Sequence, residues 1–360
     1  MEQRPEAFTG VGLAVTTLLA ALLVVEAGLA IAGYPPAYTD HQQLFVEYDS
    51  VRGWRNIPDA HRRYVTPEFS VAMDYNAHAY RGPLVPYAKP AGTQRVLLLG
   101  DSYLEGYTVP LQDRVAEVAQ RLLTAGRGPG VQIVALGTGG YSTDQELLWL
   151  ESEGERYAPD LVVVLFCVND VWYNNRASYP RGAKPLFRPA GDSLVLTGVP
   201  VPRPLATVVP APRRSLKAWL VEHSHLLRLV QRALRRSPRQ AQAGPTADEF
   251  LPFADHPSPA ADSAITMTEA LLARMKREVT ARGARLAVLL IPEPRLPHAS
   301  ERFGQICKAA SIDCVDPSET FEAAARTETL TFAEDGHWNA NGHRRAASVL
   351  AEIIRSTGVF

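Results

Sequence analysis

The run Leu161-Val162-Val163-Val164-Leu165-Phe166 constrains the fold more than any other stretch of the chain. Six successive apolar residues, with no polar residue in alternation, describe a strand covered on both faces. Such a strand sits inside a parallel sheet with helices on either side. Two further runs share this character, RVLLLG at 95–100 and VQIVAL at 131–136, and ARLAVLLIP at 284–292 and the short SIDCVD at 311–316 follow later. Helical patterns fall between them. Val115, Val118 and Leu122 mark one helix face, and Thr143 with Glu146 has capping-box spacing for a helix running to about Gly154. ITMTEALLARMKREVTARG, ERFGQICKAA and NANGHRRAASVLAEIIRS complete the series. This alternation predicts a three-layer α/β/α domain with a mostly parallel sheet.

The flanking segments read differently. From Ala7 to Val25 the chain carries no charge, and its apolar character resumes after Glu26 through Ile31. About 20 such residues span the hydrocarbon core of a bilayer. Residues 1–33 are therefore expected to be a transmembrane anchor. The alternative is a cleaved signal peptide, since Ala30-Ile31-Ala32 resembles an A-x-A cleavage site. Either reading places the rest outside the cytoplasm, as a single-pass anchored domain or a secreted one. Residues 34–94, rich in Tyr, Pro and Val, predict short strands and turns in a small accessory segment. The main domain then occupies 95–360, interrupted by an insertion at 171–262. In that insertion Leu216, Trp219, Leu220, Leu227, Val230 and Leu234 predict one or two amphipathic helices. Arg213, Arg214, Lys217, Arg228, Arg232, Arg235, Arg236 and Arg239 make the same stretch basic, either a solvated face or a basic amphipathic helix that rests on anionic lipid or, less favoured, roofs the active site. Residues 237–262 read as an exposed loop.

Bulk properties close several routes. A net charge of −1 offers no footprint for nucleic acid. Three cysteines cannot build a disulfide framework, although Cys307 and Cys314 could pair in an oxidising compartment, and Cys167 reads as a small buried hydrophobe. No ligand cluster predicts a metal, and no cofactor is expected. Gly139-Gly140 fails the G-x-G-x-x-G spacing of a dinucleotide loop.

In an open parallel sheet, ligands bind beyond the carboxyl ends of the strands. Those ends carry the unusual residues here. The first ends in Gly100-Asp101-Ser102, the second in Gly139-Gly140, the third in Cys167-Val168-Asn169-Asp170, and Glu334-Asp335-Gly336-His337-Trp338 precedes the last helix. A serine hydroxyl becomes a nucleophile when a histidine takes its proton, and an acid orients that histidine. Backbone N–H groups and a side-chain amide can hold the oxyanion that follows. Asp101 reads as a turn acid, and His343 as a surface or capping residue.

On these four blocks the chain resembles the SGNH, or GDSL, hydrolases. GDSYLEG matches the first block, Gly140 within LGTGGYSTDQ falls where the second places its oxyanion glycine, CVND matches the third, and DGHWN the last. The resemblance implies an SGNH-hydrolase, flavodoxin-like fold and a serine esterase acting on short acyl esters of carbohydrate or lipid. It casts Ser102 as nucleophile, His337 as base, and Ser102, Gly140 and Asn169 as oxyanion donors. Two departures stand out. Cys167 replaces the third-block glycine. The last block usually reads Asp-x-x-His, which would select Glu334, whereas a membrane-attached branch that includes O-acetyltransferases uses Asp-x-His-Trp. That form selects Asp335 with Trp338 in support, and it keeps an O-acetyltransferase as the alternative activity. A silent glycan-binding module is the other alternative.

Overall fold

The structure is a computed structural model and describes residues 5–32, 34, 39, 41–66, 68–125, 130–191, 193–203, 224–234 and 248–357. The apolar N-terminal stretch forms a helix, α1 (Pro5–Ile31), whose segment Gly12–Ile31 is long and apolar enough to cross a membrane and is not packed inside the protein. A short helix α2 (His41–Phe45) leads into two antiparallel hairpins, β1 (Val46–Asp49) with β2 (Gly53–Asn56), and β3 (His61–Val65) with β4 (Ser70–Asp74).

The main domain begins at β5 (Gln94–Gly100), followed by the single-turn helix α3 (Ser102–Glu105), α4 (Val115–Thr124) and β6 (Val131–Gly137). Next come α5 (Thr143–Ser152), β7 (Leu161–Phe166) and the short α6 (Val168–Tyr173). Two hairpins then stand in the insertion, β8 (Ser178–Tyr179) with β9 (Gly182–Ala183), and β10 (Leu186–Ala190) with β11 (Ser193–Thr197). The helix α7 (His225–Leu234) belongs to the same insertion. The chain closes with α8 (Pro259–Ala281), β12 (Arg285–Leu290), α9 (Ala299–Ala310), β13 (Asp313–Val315), α10 (Ser318–Ala325) and α11 (Ala340–Ser356).

Five strands form one parallel sheet in the order β13-β12-β7-β5-β6. Successive side chains point to opposite faces, and both faces are covered, so β7 is apolar throughout and β5 from Val96 onward. Leu97, Leu99, Val162 and Val164 pack on one side with Leu147, Leu271 and Ile306. Val96, Leu98, Val163 and Leu165 pack on the other with Val115, Leu350 and Ile354. From β5 the chain moves to β6 at one edge, and from β7 it moves the opposite way to β12. The crevice beyond Gly100 and Phe166 is therefore the switch point of the sheet, where ligands sit in open α/β folds.

Several local expectations are corrected. The buried face of α4 centres on Ala116 and Ala119, so Leu122 is exposed and Leu123 packs inward. The cap of α5 sits one residue earlier, on Ser142 with Gln145, and the helix ends at Ser152. Glu146 is wholly buried rather than serving as a cap. Within 237–262 the described part is not an open loop: Phe253 is buried, and α8 starts at Pro259 with Ser258 Oγ accepting from the Ala261 N–H. His343 is 1% exposed, and its Nδ1 lies 3.3 Å from the Val115 N–H. Burial and the cations Arg81 and Arg114 push its pKa down to about 3. Leu216, Trp219, Leu220, Arg213, Arg214, Lys217, Arg235, Arg236 and Arg239 lie outside the described residues, as do the side chains of Arg228, Arg232 and Leu234. Cys307 and Cys314 are joined as a disulfide, and Cys167 is buried.

Candidate active site

β5 delivers Ser102 to the crevice because Asp101 stops the strand and starts a helix. The Asp101 side chain accepts from the Tyr103 N–H at 2.9 Å, which caps α3 and leaves Ser102 as its first residue. Burial raises Asp101 to about 6, against the pull of that hydrogen bond and of His337. Ser102 Oγ lies 2.8 Å from His337 Nε2, although the two are 235 residues apart in sequence.

On the far side of the ring, His337 Nδ1 meets Asp335 Oδ1 at 2.7 Å. Glu334 is exposed and makes no such contact; its N–H donates to Glu68. Burial raises the Asp335 carboxyl, but the hydrogen bond and charge of His337 outweigh it and hold it below its ordinary value. His337 shows the mirror image: burial lowers it, and the bond to Asp335 more than restores it, leaving it raised. A residue missed in the sequence completes this group. Tyr107 OH stands 2.9 Å from His337 Nδ1 and 3.2 Å from Asp335 Oδ1. Trp338 is buried, packing edge-on against Tyr103 with ring centres 4.8 Å apart, and so fixes the backbone beside the imidazole.

Gly140 and Asn169 line the same cleft of about 230 Å³ as Ser102, Tyr179 and His337. Asn169 is in the first turn of α6, placed there by β7, and Asp170 Oδ2 accepts from the Cys167 N–H at 3.3 Å to steady that turn. Gly140 has φ +77°, and a Cβ there would come within 2.6 Å of the Tyr179 ring. Only glycine fits both constraints. The Gly140 N–H and the Asn169 side-chain amide have no hydrogen-bond partner among the described residues, so both donors are available to a ligand in the cleft.

The accessory segment reaches this site from outside. Asn56 Nδ2 donates to Gly137 O and Trp54 Nε1 to Gly139 O, both at 3.1 Å. Arg81, 1% exposed, donates to the carbonyls of Glu105, Gly106 and Val109 just after the nucleophile helix. Burial and the neighbouring Arg114 lower Arg81 to about 10. Glu68 accepts from the N–H groups of Ala333, Glu334 and Asp335 at 2.8, 3.0 and 2.7 Å. Glu105 is fully buried, bonding His41 Nε2 at 3.0 Å, the Tyr75 hydroxyl, and the Gly139 N–H at 2.7 Å. Burial alone would raise Glu105; His41 and the other donors bring it down to about 2.

The cleft thus brings together a serine hydroxyl, an imidazole in contact with it, a carboxylate on the far side of that ring and two open N–H donors, a set that acyl transfer could use. The sequence profile of the GDSL-like Lipase/Acylhydrolase family matches residues 98–345, more than half of the chain. No curated protein matches the chain in sequence. Among solved structures, a lipase/acylhydrolase from Enterococcus faecalis is similar with a TM-score of 0.42 and 12% identity, over 74% of this chain and 97% of that one. A variant of an acetylxylan esterase from Geobacillus stearothermophilus is similar with a TM-score of 0.40 and 13% identity, over 75% of this chain and 97% of that one.

Proposed function

The chain belongs to the GDSL-like lipase/acylhydrolase family and is a carboxylic ester hydrolase, and from that premise we propose that it removes short acyl groups from a carbohydrate or lipid alcohol through a serine acyl-enzyme. The 2.8 Å contact between Ser102 Oγ and His337 Nε2 is the observation that carries this reading. Ser102 Oγ attacks the ester carbonyl as His337 Nε2 takes its proton. The imidazolium is stabilised by Asp335, and the carbonyl oxygen, now negative, is met by the N–H groups of Ser102 and Gly140 and the amide of Asn169. His337 returns the proton to the alcohol oxygen as the C–O bond breaks. Water then repeats the sequence on the acyl-serine and releases the acid. The small volume of the cleft favours a short acyl group.

The proposal also places the enzyme on a membrane, outside the cytoplasm, with α1 retained. Glu26, near the end of α1, accepts from the N–H groups of His225 and Leu226 at 2.6 and 2.8 Å and from Ser224 Oγ at 3.0 Å. Cleavage after Ala32 would strip α7 of this cap. Leu227, Leu229 and Val230 on α7 are exposed, as befits a helix lying on headgroups, and the basic sequence of the insertion suits an anionic lipid surface. The Cys307–Cys314 disulfide fits an oxidising compartment.

Replacing Ser102 by Ala is expected to abolish turnover of p-nitrophenyl acetate and labelling by a fluorophosphonate in a protein whose circular dichroism is unchanged. Retained turnover overturns the assignment. The Asp335-Gly336-His337-Trp338 form favours one second reading, in which a glycan hydroxyl replaces water. Product analysis separates the two, since a hydrolase releases only free acid when a glycan acceptor is supplied.

A further inference from the structure

The cleft holds one cation that the ester chemistry leaves unused. Among the charged residues lining it, Glu293 and Arg295 pair with each other, Arg295 Nε standing 2.6 Å from Glu293 Oε1. Asp335 is engaged by His337, and Asp101 is buried, with Oδ1 taken by the Tyr103 N–H. Arg181 differs. Its guanidinium has no hydrogen bond or ion pair among the described residues, although it lines the cleft beside Tyr179.

Its position is close to the reacting centre. A Cβ built on Gly140 would lie 3.1 Å from Arg181 Nε, and one on Gly139 would lie 2.9 Å from its Nη2. The guanidinium therefore rests over the glycine pair that bounds the cleft. Glu105 stands beside it, with Oε2 3.0 Å from the same Cβ position on Gly139, and its charge attracts Arg181 without a hydrogen bond to the guanidinium. Its own oxygens are occupied by His41, Tyr75 and the Gly139 N–H. The backbone is held as well, because Gln42 Nε2 donates to Arg181 O at 3.1 Å. Tyr179, on the same β8–β9 hairpin, is fixed by Tyr173 and Trp54, with ring centres 4.5 and 5.7 Å away. The hairpin thus presents a flat ring and a fork of N–H donors to whatever occupies the cleft.

We infer that Arg181 is a specificity residue for an anionic substrate: the ester is carried by an alcohol that also bears a carboxylate or a phosphate, and the free guanidinium binds that group. This rests on the serine-esterase reading and deepens it. Guanidinium matches both anions through paired donors, which is why arginine rather than lysine serves such contacts. The anion belongs to the alcohol portion because a short acyl group has no room to carry one. Tyr179 offers its face to the ring or chain between the anion and the ester.

The test compares kcat/KM for 4-acetoxybenzoate and 4-acetoxyphenyl phosphate with that for the neutral methyl 4-acetoxybenzoate, each corrected for its hydroxide-catalysed rate. The wild-type enzyme is expected to favour at least one anionic ester by about tenfold or more, equivalent to about 1.4 kcal/mol. Arg181→Gln should bring that ratio near one, and Arg181→Lys should keep part of it. Added salt should erode the ratio in the wild-type enzyme. The two anionic esters distinguish carboxylate from phosphate. No preference in the wild-type enzyme, or a preference that survives in Arg181→Gln, overturns the inference. Equal loss on charged and neutral esters also overturns it, assigning Arg181 to the chemistry or the fold instead. Failure of a different kind is recognisable: if the wild-type enzyme hydrolyses none of these esters and Ser102 takes no fluorophosphonate, the esterase reading falls and takes this inference with it.

Discussion

His337 illustrates how one side chain is tuned by opposed effects. Burial favours the neutral ring, whereas Asp335 at 2.7 Å favours the imidazolium, and the second wins, so its pKa stands above the ordinary 6.5. The proposed role of His337 as base requires the neutral ring. Protonation on the acid side therefore removes activity, and the acid limb of kcat/KM is expected above pH 6.5. Asp335→Asn removes the charge and leaves burial in control, so that limb should move to lower pH. The rate itself should fall by about a hundredfold or more, through loss of the tautomer that offers Nε2 to the serine. Tyr107, at 2.9 Å from Nδ1, can keep part of that tautomer control, so Asp335→Asn combined with Tyr107→Phe should lose more than Asp335→Asn alone. A pH–rate profile of the three proteins checks the assignment. An acid limb that stays in place when Asp335 is replaced removes it from the role of orienting acid.

At the scale of elements, what was legible in the sequence depended on periodicity. β5, β6, β7 and β12 could be read because largely apolar runs encode strands buried on both sides, and the residues after them followed by topology. Ser102, Gly140 and Asn169 were proposed from those positions, and His337 from its place beyond β13 and before the last helix. The single turns α3 and α6 were not, since 4–6 residues are too few to display a helical period. Hairpins β8 to β11 lay hidden in a segment whose Pro, Gly and Arg content reads as loop. Glu68, Arg81, Glu105 and Tyr107 were invisible for another reason: each is an isolated polar residue whose partner lies on a different segment. Glu68 shows the consequence. It gathers three successive N–H groups of the loop bearing Asp335, across more than 260 residues. It touches no reacting atom and is a positioning residue. Glu68→Ala is expected to lower kcat between about tenfold and a hundredfold, the scale of small misplacements in a catalytic group. KM should change little, and the acid limb should shift downward as the Asp335–His337 bond loosens. Glu68→Gln, which keeps an acceptor, should recover much of the rate. A loss of stability with an unmoved pH profile assigns Glu68 a structural role only.

Over the whole molecule, the accessory hairpins meet the rim of the sheet, and α1 meets the insertion. Arg81, Asn56, Trp54, Tyr75 and His41 all contact α3 or the glycine loop, so the segment after α1 packs against the frame of the candidate site. If α1 is retained in a bilayer, as proposed, this segment lies between the membrane and the cleft in sequence. Glu26 extends the link to the insertion through Ser224, His225 and Leu226. A carboxylate in an apolar helix is costly unless donors meet it, and the start of α7 supplies them. The protein isolated from cells is therefore expected to keep its residues before Gly33 and to resist extraction from membranes by alkaline carbonate. Glu26→Ala should leave it membrane-bound yet make trypsin cut at Arg228 and Arg232 several-fold faster, since the helix that holds them has lost its cap. Sequencing of the mature N-terminus and limited proteolysis of the two proteins decide the matter: a chain that begins at Gly33, or cleavage rates that do not differ, would detach the insertion from the anchor and leave the domain free of the bilayer.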